Sequence, residues 1–389
     1  MMPATTPESV IVVGRGLIGS AAARHLAEAG AKTTLIGPIE PDVYADGPVA
    51  SHWDEGRVTR IASLDDTWAE VAARSIDRYA EIERRSGIEF HAGCGLVWLG
   101  DGAALAAEQA NRRGGSASVE TTSWLRDETG IVAADPSTAV CMERSPAGRI
   151  NPRALVRAQV GLAEAAGATI IDGAATAVAR TARGIRASGT FGSADADHLI
   201  LATGPHAAEL VGVSLSVERR LRTVVLAELG PAPGLPSLIA DDPGVDELDE
   251  IYWVPPVPFP DGRTMLKIGG DMIDLQTAET SSDLEAWFRS GGSEREAAAL
   301  EQSLRQHLPF AEITHVEHRP CVTTFTPGGW PFIGPIDDRV SVALGGSGAA
   351  AKSSDELGRL ATQSVIGDWT DPTLDLDVFA PKVVRRTYG

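Results

Sequence analysis

The feature that most constrains this chain is a glycine-rich turn between a strand and a helix near its N-terminus. Residues 10–13 form a short apolar run that ends at Gly14, and apolar residues from Ile18 onward recur at helical spacing. Gly14 permits a tight turn, Gly16 allows the backbone to approach a pyrophosphate, and Gly19 lets the helix pack closely on the strand. The pattern predicts a dinucleotide-binding unit, the alternative being a tight turn without a ligand.

A second strand, predicted over residues 33–36, follows the helix but lacks the acidic residue that usually holds an adenosine ribose. Gly37 occupies the expected position. Glu40 lies three residues further on and is a candidate partner for the ribose hydroxyls. The alternative for Glu40 is a solvated carboxylate in a surface loop.

Length and charge limit the classes of function that fit the chain. Its 389 residues exceed what one hydrophobic core normally organises, so two domains, or one domain interrupted by another, are expected. Asp and Glu outnumber Lys and Arg by 53 to 34, and the net charge of −19 disfavours nucleic acids and anionic membrane surfaces as partners. We therefore expect a small-molecule ligand and a monomer or small homo-oligomer.

Cysteine usage and the N-terminus indicate the compartment. Cys94, Cys141 and Cys321 are widely spaced and form no short metal-binding or redox motif, which favours a reducing environment. Residues 1–9 lack the basic and apolar regions of a secretion signal, and no apolar run approaches transmembrane length. The sequence predicts a cytoplasmic protein without a metal site.

Signals for helices and strands alternate along the chain, and their character changes in the middle. Before residue 215, helices are predicted over residues 66–85 and 153–166, and strands over residues 90–99, 168–171 and 198–202. Between about residues 215 and 318 the signals are those of longer, separated strands, at residues 223–228, 250–254 and 264–269. After Cys321 come a predicted strand over residues 340–344 and a helix over residues 354–366.

Four further segments, together with the glycine turn, resemble a known family in their order and spacing. They are SHWDEGRVTR (residues 51–60), TMLKIG (residues 264–269), RPCVTTFTP (residues 319–327) and GGSGAAAK (residues 345–352). The chain resembles the monomeric sarcosine oxidase group of the D-amino-acid-oxidase-like flavoproteins over nearly its whole length. Each motif is loose by itself, whereas the joint order is specific.

The resemblance implies an α/β protein of two domains, a Rossmann-like FAD-binding domain with an inserted mixed or antiparallel sheet. The FAD-binding domain is predicted to be discontinuous, over residues 1–86, 145–215 and 318–389. The substrate-binding domain is predicted over residues 87–144 and 216–317. The implied enzyme oxidises the C–N bond of an N-alkyl or cyclic secondary amino acid, with dioxygen as acceptor and hydrogen peroxide as co-product.

The resemblance also implies roles for five residues. Cys321 matches the cysteine that attaches flavin through a thioether, the alternative being a buried cysteine that packs as a small hydrophobe. Lys267, between apolar neighbours in a predicted strand, matches the lysine that assists dioxygen reduction, the alternative being a lysine at a strand edge. Arg60 and Lys352 match the two cations that hold the substrate carboxylate, and Arg57 matches a second arginine beside the flavin ring. The alternative for either arginine is a surface ion pair in an acid-rich protein.

A larger set of residues is expected to contact FAD because these residues match the binding segments of the family. The set comprises Gly14, Gly16, Leu17, Ile18, Gly19, Ser51, His52, Arg57, Val178, Thr203, Gly204, Cys321, Gly346, Gly348 and Lys352.

The chain departs from the family at three residues that we expect in the substrate pocket. Trp53 replaces a histidine, Asp271 stands where the family carries a histidine, and Trp253 follows Tyr252 where a tyrosine often faces the substrate. Indole walls favour a substrate bulkier than sarcosine. Asp271 is a candidate proton acceptor or cation ligand, the alternative being a polar loop residue.

Three other functions remain open at this stage. A dehydrogenase of the same fold would pass electrons to a carrier protein or quinone. A non-catalytic flavoprotein subunit would supply only binding or assembly surface. An NAD-dependent dehydrogenase fits the glycine turn but not the C-terminal segments.

Overall fold

The glycine-rich turn lies at the centre of a six-stranded sheet in the computed structural model, which describes residues 7–40, 50–210, 212–230 and 234–384. The strands follow the order Phe332–Pro335, Val340–Leu344, His198–Leu201, Ser9–Val13, Lys32–Ile36 and Thr169–Ile171. Neighbouring strands are parallel except Phe332–Pro335, which is antiparallel to its neighbour. Parallel sheets require cover on both faces, and this sheet has it.

Helices cover one face of this sheet, and a small sheet covers the other. The helices that share a core with it are Leu17–Glu28, Asp66–Ser86, Pro152–Ala165 and Ala350–Ile366. The opposite face packs against a three-stranded sheet of Ala175–Arg180, Ile185–Gly189 and Gly192–Ala196. The first two strands and the helix between them form the βαβ unit that the glycine pattern predicts.

A second, nine-stranded sheet forms the other half of the molecule. Its order is Gln276–Thr277, Glu218–Leu229, Thr264–Met272, Leu248–Pro258, Ser237–Ala240, Leu96–Leu99, Val140–Glu143 and Ala117–Glu120, and Ile313–Phe325 also pairs with Glu218–Leu229. Its pairs are antiparallel except that of Ser237–Ala240 with Leu96–Leu99. This mixed sheet, beside the parallel one, confirms the predicted fold class.

Shorter elements complete the described chain. The remaining helices are Ala103–Arg112, Thr122–Thr129, Ser281–Ser290 and Glu294–His307, with 3-10 helices at Gly204–Glu209 and Leu376–Phe379. Arg57–Thr59, His91–Ala92 and Gly148–Ile150 form a three-stranded sheet, and Ser214–Leu215 pairs with Val383–Val384. Within the described ranges, none of the helices is both long enough and apolar enough to cross a membrane.

Most of the helices and strands predicted from the sequence are present in the structure. Where their bounds differ from the prediction, local features of the chain explain the difference. The strand predicted over residues 90–99 is two short strands, because Gly95 takes a positive φ of 83° between them. The last helix begins at Ala350, earlier than the predicted start at residue 354, so Lys352 lies in its first turn. Strand Ile313–Phe325 runs across the boundary predicted between residues 317 and 318.

Candidate active site

A cavity of about 1010 Å³ runs from the glycine turn to the face of the second sheet. Residues from both sheets and from the loops between them line it. Of the residues predicted to contact FAD or substrate, those that line it are Gly14, Gly16, Leu17, Ile18, Ser51, His52, Arg57, Arg60, Thr203, Gly204, Asp271, Cys321, Gly346, Gly348 and Lys352.

The glycines of the turn are required by close backbone contacts. Gly14 has a φ of 117°, and a Cβ there would overlap the carbonyl of Ala202. A Cβ on Gly19 would overlap the carbonyl oxygen of Gly14, so the helix approaches the turn only because residue 19 lacks a side chain. A Cβ on Gly16, by contrast, would lie 3.6 Å from Nδ1 of His52, so the protein itself leaves space there.

Unpaired polar groups surround this end of the cavity. No side chain caps the N-terminus of helix Leu17–Glu28 or of helix Ala350–Ile366, and both helices begin at the cavity. The first-turn N–H groups and the dipoles of these helices favour an anion such as a pyrophosphate. The hydroxyl of Thr203 is buried in the cavity wall without a hydrogen-bond partner in the described chain. These residues fit a dinucleotide.

The missing ribose acid has a steric explanation. A Cβ on Gly37 would overlap the backbone and Cβ of Arg15, so an acidic side chain has no room at this position. Glu40 does not line the cavity, and its carboxylate is bound by Arg153 at 2.5 and 2.7 Å. Arg153 also binds Glu55 at 2.5 Å. The side chain of Glu40 is therefore engaged in an ion-pair network in this structure.

Two predicted FAD contacts lie away from the cavity. Val178 packs against the core between the six-stranded and three-stranded sheets, whereas residues 173–176, earlier in the same segment, line the cavity. Gly19 acts through its packing on Gly14 and does not line the cavity.

Two cations, the buried Lys352 and the half-buried Arg60, face the cavity near the second sheet. Lys352 is 3% exposed, and its Nζ donates to the carbonyl of Ala349 at 3.1 Å. The guanidinium of Arg60 stacks on the indole of Trp98 at 4.8 Å and donates to the carbonyl of Ala62. Desolvation lowers the pKa of both side chains, and the charge of Arg60 lowers the pKa of Lys352 further. An anion between them would relieve this repulsion.

Lys267 lies just outside the cavity wall and belongs to an ion-pair cluster. Its side chain is completely buried, and its Nζ donates to Oδ2 of Asp54 at 2.6 Å and to the carbonyl of Gly56. Asp54 also pairs with Arg57, which lines the cavity. Burial and the charge of Arg57 lower the pKa of Lys267 well below its ordinary value. The carboxylate of Asp54 opposes this effect, because it stabilises the charged ammonium.

Cys321 ends a row of residues that crosses the second sheet and faces the cavity. Asp271 pairs in register with Glu250, and Cys321 pairs in register with Arg222. Arg222 binds Asp271 at 2.6 Å, which joins the two halves of the row. All four residues line the cavity. The thiol of Cys321 is therefore placed on the same surface as the charged residues.

The structure does not bring the two expected indoles to the cavity. Trp253 is fully buried on the other face of the second sheet, where its Nε1 donates to the carbonyl of Pro236 at 3.0 Å. Side chains alternate along a strand, so Tyr252 faces the cavity instead. Trp53 packs edge-on against His52, with ring centroids 6.0 Å apart, and is not among the lining residues.

Comparison with known proteins now decides the family. The family model described as FAD dependent oxidoreductase matches residues 9–364. The chain belongs to this family. It is 25% identical over 399 residues to the uncharacterized oxidoreductase YurR of Bacillus subtilis, covering 96% of this chain and 98% of the relative. It is 27% identical over 376 residues to a monomeric sarcosine oxidase of Streptomyces avermitilis, covering 90% of this chain and 91% of the relative.

A solved structure shares the fold over almost the full length. The open form of NikD, described as an unusual amino acid oxidase essential for nikkomycin biosynthesis, has a TM-score of 0.78 at 19% identity, covering 97% of this chain and 98% of that one. In this FAD-dependent oxidoreductase, the glycine turn, Thr203 and the two uncapped helix N-termini would hold the dinucleotide.

Sequence reasoning did not identify several residues that line the cavity. Trp68 and Trp98 are the indoles that line the cavity, and Asp241 and Glu250 are two carboxylates on its wall. Period two along residues 250–254 places residues 250 and 252 on one face, so this signal could have identified Glu250. Asp241 had no comparable signal, because the strand before it was not predicted.

Proposed function

We propose that this FAD-dependent oxidoreductase oxidises the C–N bond of an N-alkyl or cyclic secondary amino acid, with dioxygen as acceptor and hydrogen peroxide as product. The observation that carries the proposal is the buried ammonium of Lys352, which faces the cavity and has no carboxylate partner within the described ranges. A buried unpaired charge is costly, and a substrate carboxylate would satisfy it. The relatives described as a sarcosine oxidase and an amino acid oxidase support this substrate class.

Catalysis in this proposal is mainly positioning by the residues of the cavity wall. Lys352 and Arg60 bind the carboxylate and fix the orientation of the carbon next to nitrogen. FAD, when bound, accepts the hydride from that carbon and passes two electrons on. Tyr252 and Trp98 line the cavity and reduce the access of water to the substrate.

Lys267 is proposed to assist electron transfer to dioxygen. A fixed cation near the flavin stabilises negative charge that develops on oxygen, provided that the lysine stays protonated. Asp54, 2.6 Å from Nζ, favours the protonated form of this fully buried side chain. The same ion pair favours a second candidate function, a dehydrogenase with a carrier or quinone as acceptor, because a compensated cation stabilises superoxide less.

Cys321 is proposed to attach FAD through a thioether. Its position on the cavity wall, in register with Arg222, supports this proposal. The thiol of Cys321 would hold the flavin through a C–S bond that replaces its S–H bond and one flavin C–H bond, with two protons and two electrons passing to dioxygen. Arg57 is proposed to lie beside the flavin ring, since it lines the same cavity and is held by Asp54.

We further propose that the FAD-binding and substrate-binding domains have the bounds predicted above, and that the protein is a cytoplasmic monomer or small homo-oligomer. All three cysteines are free, which supports a reducing compartment.

Absorbance spectroscopy of the purified protein tests this function directly. We expect a yellow protein whose colour stays with the precipitate in acid, and a Cys321→Ser variant that releases it. Anaerobic mixing with N-methyl and cyclic amino acids should bleach the flavin, and air should restore the colour with release of peroxide. A flavin that no amine bleaches contradicts the proposal. Bleaching without oxygen uptake favours the dehydrogenase.

A further inference from the structure

We propose that Asp241 and Glu250 determine substrate specificity by binding a second cationic group, on the substrate side chain and away from the amine that is oxidised. This inference deepens the proposed function and rests on it. The substrate class is then an N-alkyl or cyclic secondary amino acid with a basic side chain.

Asp241 directly follows strand Ser237–Ala240, and Glu250 lies on the neighbouring strand Leu248–Pro258. Ala240 pairs with Ile251 in the antiparallel ladder that joins these strands, so the next position along the register places Asp241 opposite Glu250. Residues opposed in this way have Cβ atoms roughly 4.5–5.5 Å apart. Both residues are exposed and line the cavity, so both carboxylates are accessible to a ligand inside it.

Neither carboxylate forms a salt bridge within the described ranges, and the charge of Arg60 opposes the upward shift of their pKa values without cancelling it. The next acid in the row, Asp271, is bound by Arg222 at 2.6 Å. Asp241 accepts one hydrogen bond, from Nε1 of Trp98 at 3.0 Å, and the carboxylate of Glu250 accepts none from the described residues. Like charges directly opposed destabilise a sheet. Glu250 is exposed to the interior of the cavity, where the surrounding protein limits its solvation. This desolvation and the charge of Asp271 raise the pKa of Glu250 to about 7, so the site favours either a proton or a cation there.

The carboxylate of the same ligand has its own partners in the cavity, Lys352 and Arg60. Lys352 is 3% exposed, and Nζ uses one of its three donors on the carbonyl of Ala349. The other donors suit a carboxylate. Arg60 lies near both groups, because its charge acts on Asp241 and Glu250 as well as on Lys352. The cavity therefore offers an anion site and a cation site to one ligand.

The amine that is oxidised does not satisfy the two acids. Its nitrogen must be neutral when the hydride leaves, because an ammonium has no lone pair to stabilise the developing iminium. Asp241 and Glu250 would then have only the charge of Arg60, which the proposal shares with the substrate carboxylate. A primary amine on the substrate side chain, with a pKa of about 10.4, stays protonated throughout the reaction.

Calorimetric titration of the purified holoenzyme with 5-aminopentanoate and pentanoate tests the inference without turnover. Both ligands carry a carboxylate, and only the first carries a separate ammonium. We expect 5-aminopentanoate to bind at least roughly tenfold more tightly, as a charge-assisted contact would give. The variants Glu250→Gln and Asp241→Asn should each remove most of this difference.

Asp249→Asn is the matched control. It makes the same change in charge beside Glu250, at an exposed position that does not line the cavity, and should keep the wild-type preference. Equal binding of the two ligands by the wild type, or a preference that survives Glu250→Gln, would overturn the inference.

Kinetics with Nα-methyl-L-lysine and N-methyl-L-norleucine separates this inference from the proposed function. A higher kcat/KM for the lysine derivative, lost in Glu250→Gln, supports both. Equal kcat/KM for the two substrates overturns the inference and leaves the proposed function intact. Failure of both to reduce the flavin, with the calorimetric preference present, contradicts the proposed function and still supports recognition of a cation.

Discussion

The two ends of the cavity are built from different kinds of groups. At the glycine turn, backbone N–H groups and residues without side chains form the surface, and Gly14 and Gly19 are fixed by contacts with other backbone atoms. At the second sheet, the surface consists of charged and aromatic side chains, many of them on paired strands. Substitutions at the first end should therefore affect folding and cofactor binding, whereas those at the second should change rates and specificity.

The largest expected effect is at the glycine turn. Gly19→Ala places a Cβ against the carbonyl oxygen of Gly14, so we expect a loss of more than about 2 kcal/mol in the free energy of unfolding and little bound FAD. The Cβ added by Gly16→Ala would contact only Nδ1 of His52, at 3.6 Å. This variant should therefore fold normally but bind FAD less tightly. Thermal unfolding and the ratio of flavin to protein absorbance measure both effects. Equal stability loss in the two variants would contradict this distinction.

The next effect concerns the buried lysine beneath the second sheet. Lys267→Met should slow reoxidation of the reduced flavin by on the order of a hundredfold, and flavin reduction far less, because the cation acts on charge that develops only in the oxygen step. Stopped-flow measurement of each half-reaction separates the two. Lys32→Met, at an exposed strand position, is the control. Similar slowing of both half-reactions would make Lys267 a structural residue.

The difference between the two ends also explains how much the sequence could predict. The glycine spacing specifies a backbone path, so the βαβ unit and the contacts of Gly14 and Gly19 followed from the pattern alone. At the second sheet, strand register decides which side chains face the cavity, because a shift of one residue moves every side chain to the opposite face of the sheet. That is why Tyr252, rather than Trp253, faces the cavity, and why the position of Asp241 next to Glu250 followed only from extending the observed ladder by one residue.

A smaller effect is expected at Lys352, which is proposed to bind the substrate carboxylate. Lys352→Met should lower kcat/KM for amino acid substrates by roughly ten- to hundredfold, as the loss of a charged hydrogen bond of about 1.5–3 kcal/mol would give. Methyl esters of the same substrates should be poor for the wild type and nearly unaffected by the substitution. If the esters react as well as the acids, Lys352 and Arg60 do not bind the substrate carboxylate as proposed.

The smallest effect, and the sharpest test of the cation site, is a dependence on pH. Glu250 attracts a cation only when deprotonated, and its pKa of about 7 reflects burial and the facing charges of Asp271, Arg60, Asp241 and Asp249. The ratio of kcat/KM for Nα-methyl-L-lysine to that for N-methyl-L-norleucine should therefore rise by roughly tenfold between pH 6 and pH 8, as a single titration gives. Taking the ratio cancels the ionisation of the reacting amine, which both substrates share. Glu250→Gln should give a flat ratio at the lower value, since it has no proton to lose. A ratio that rises equally in this variant would assign the titration to another group and leave Glu250 without a role in cation binding.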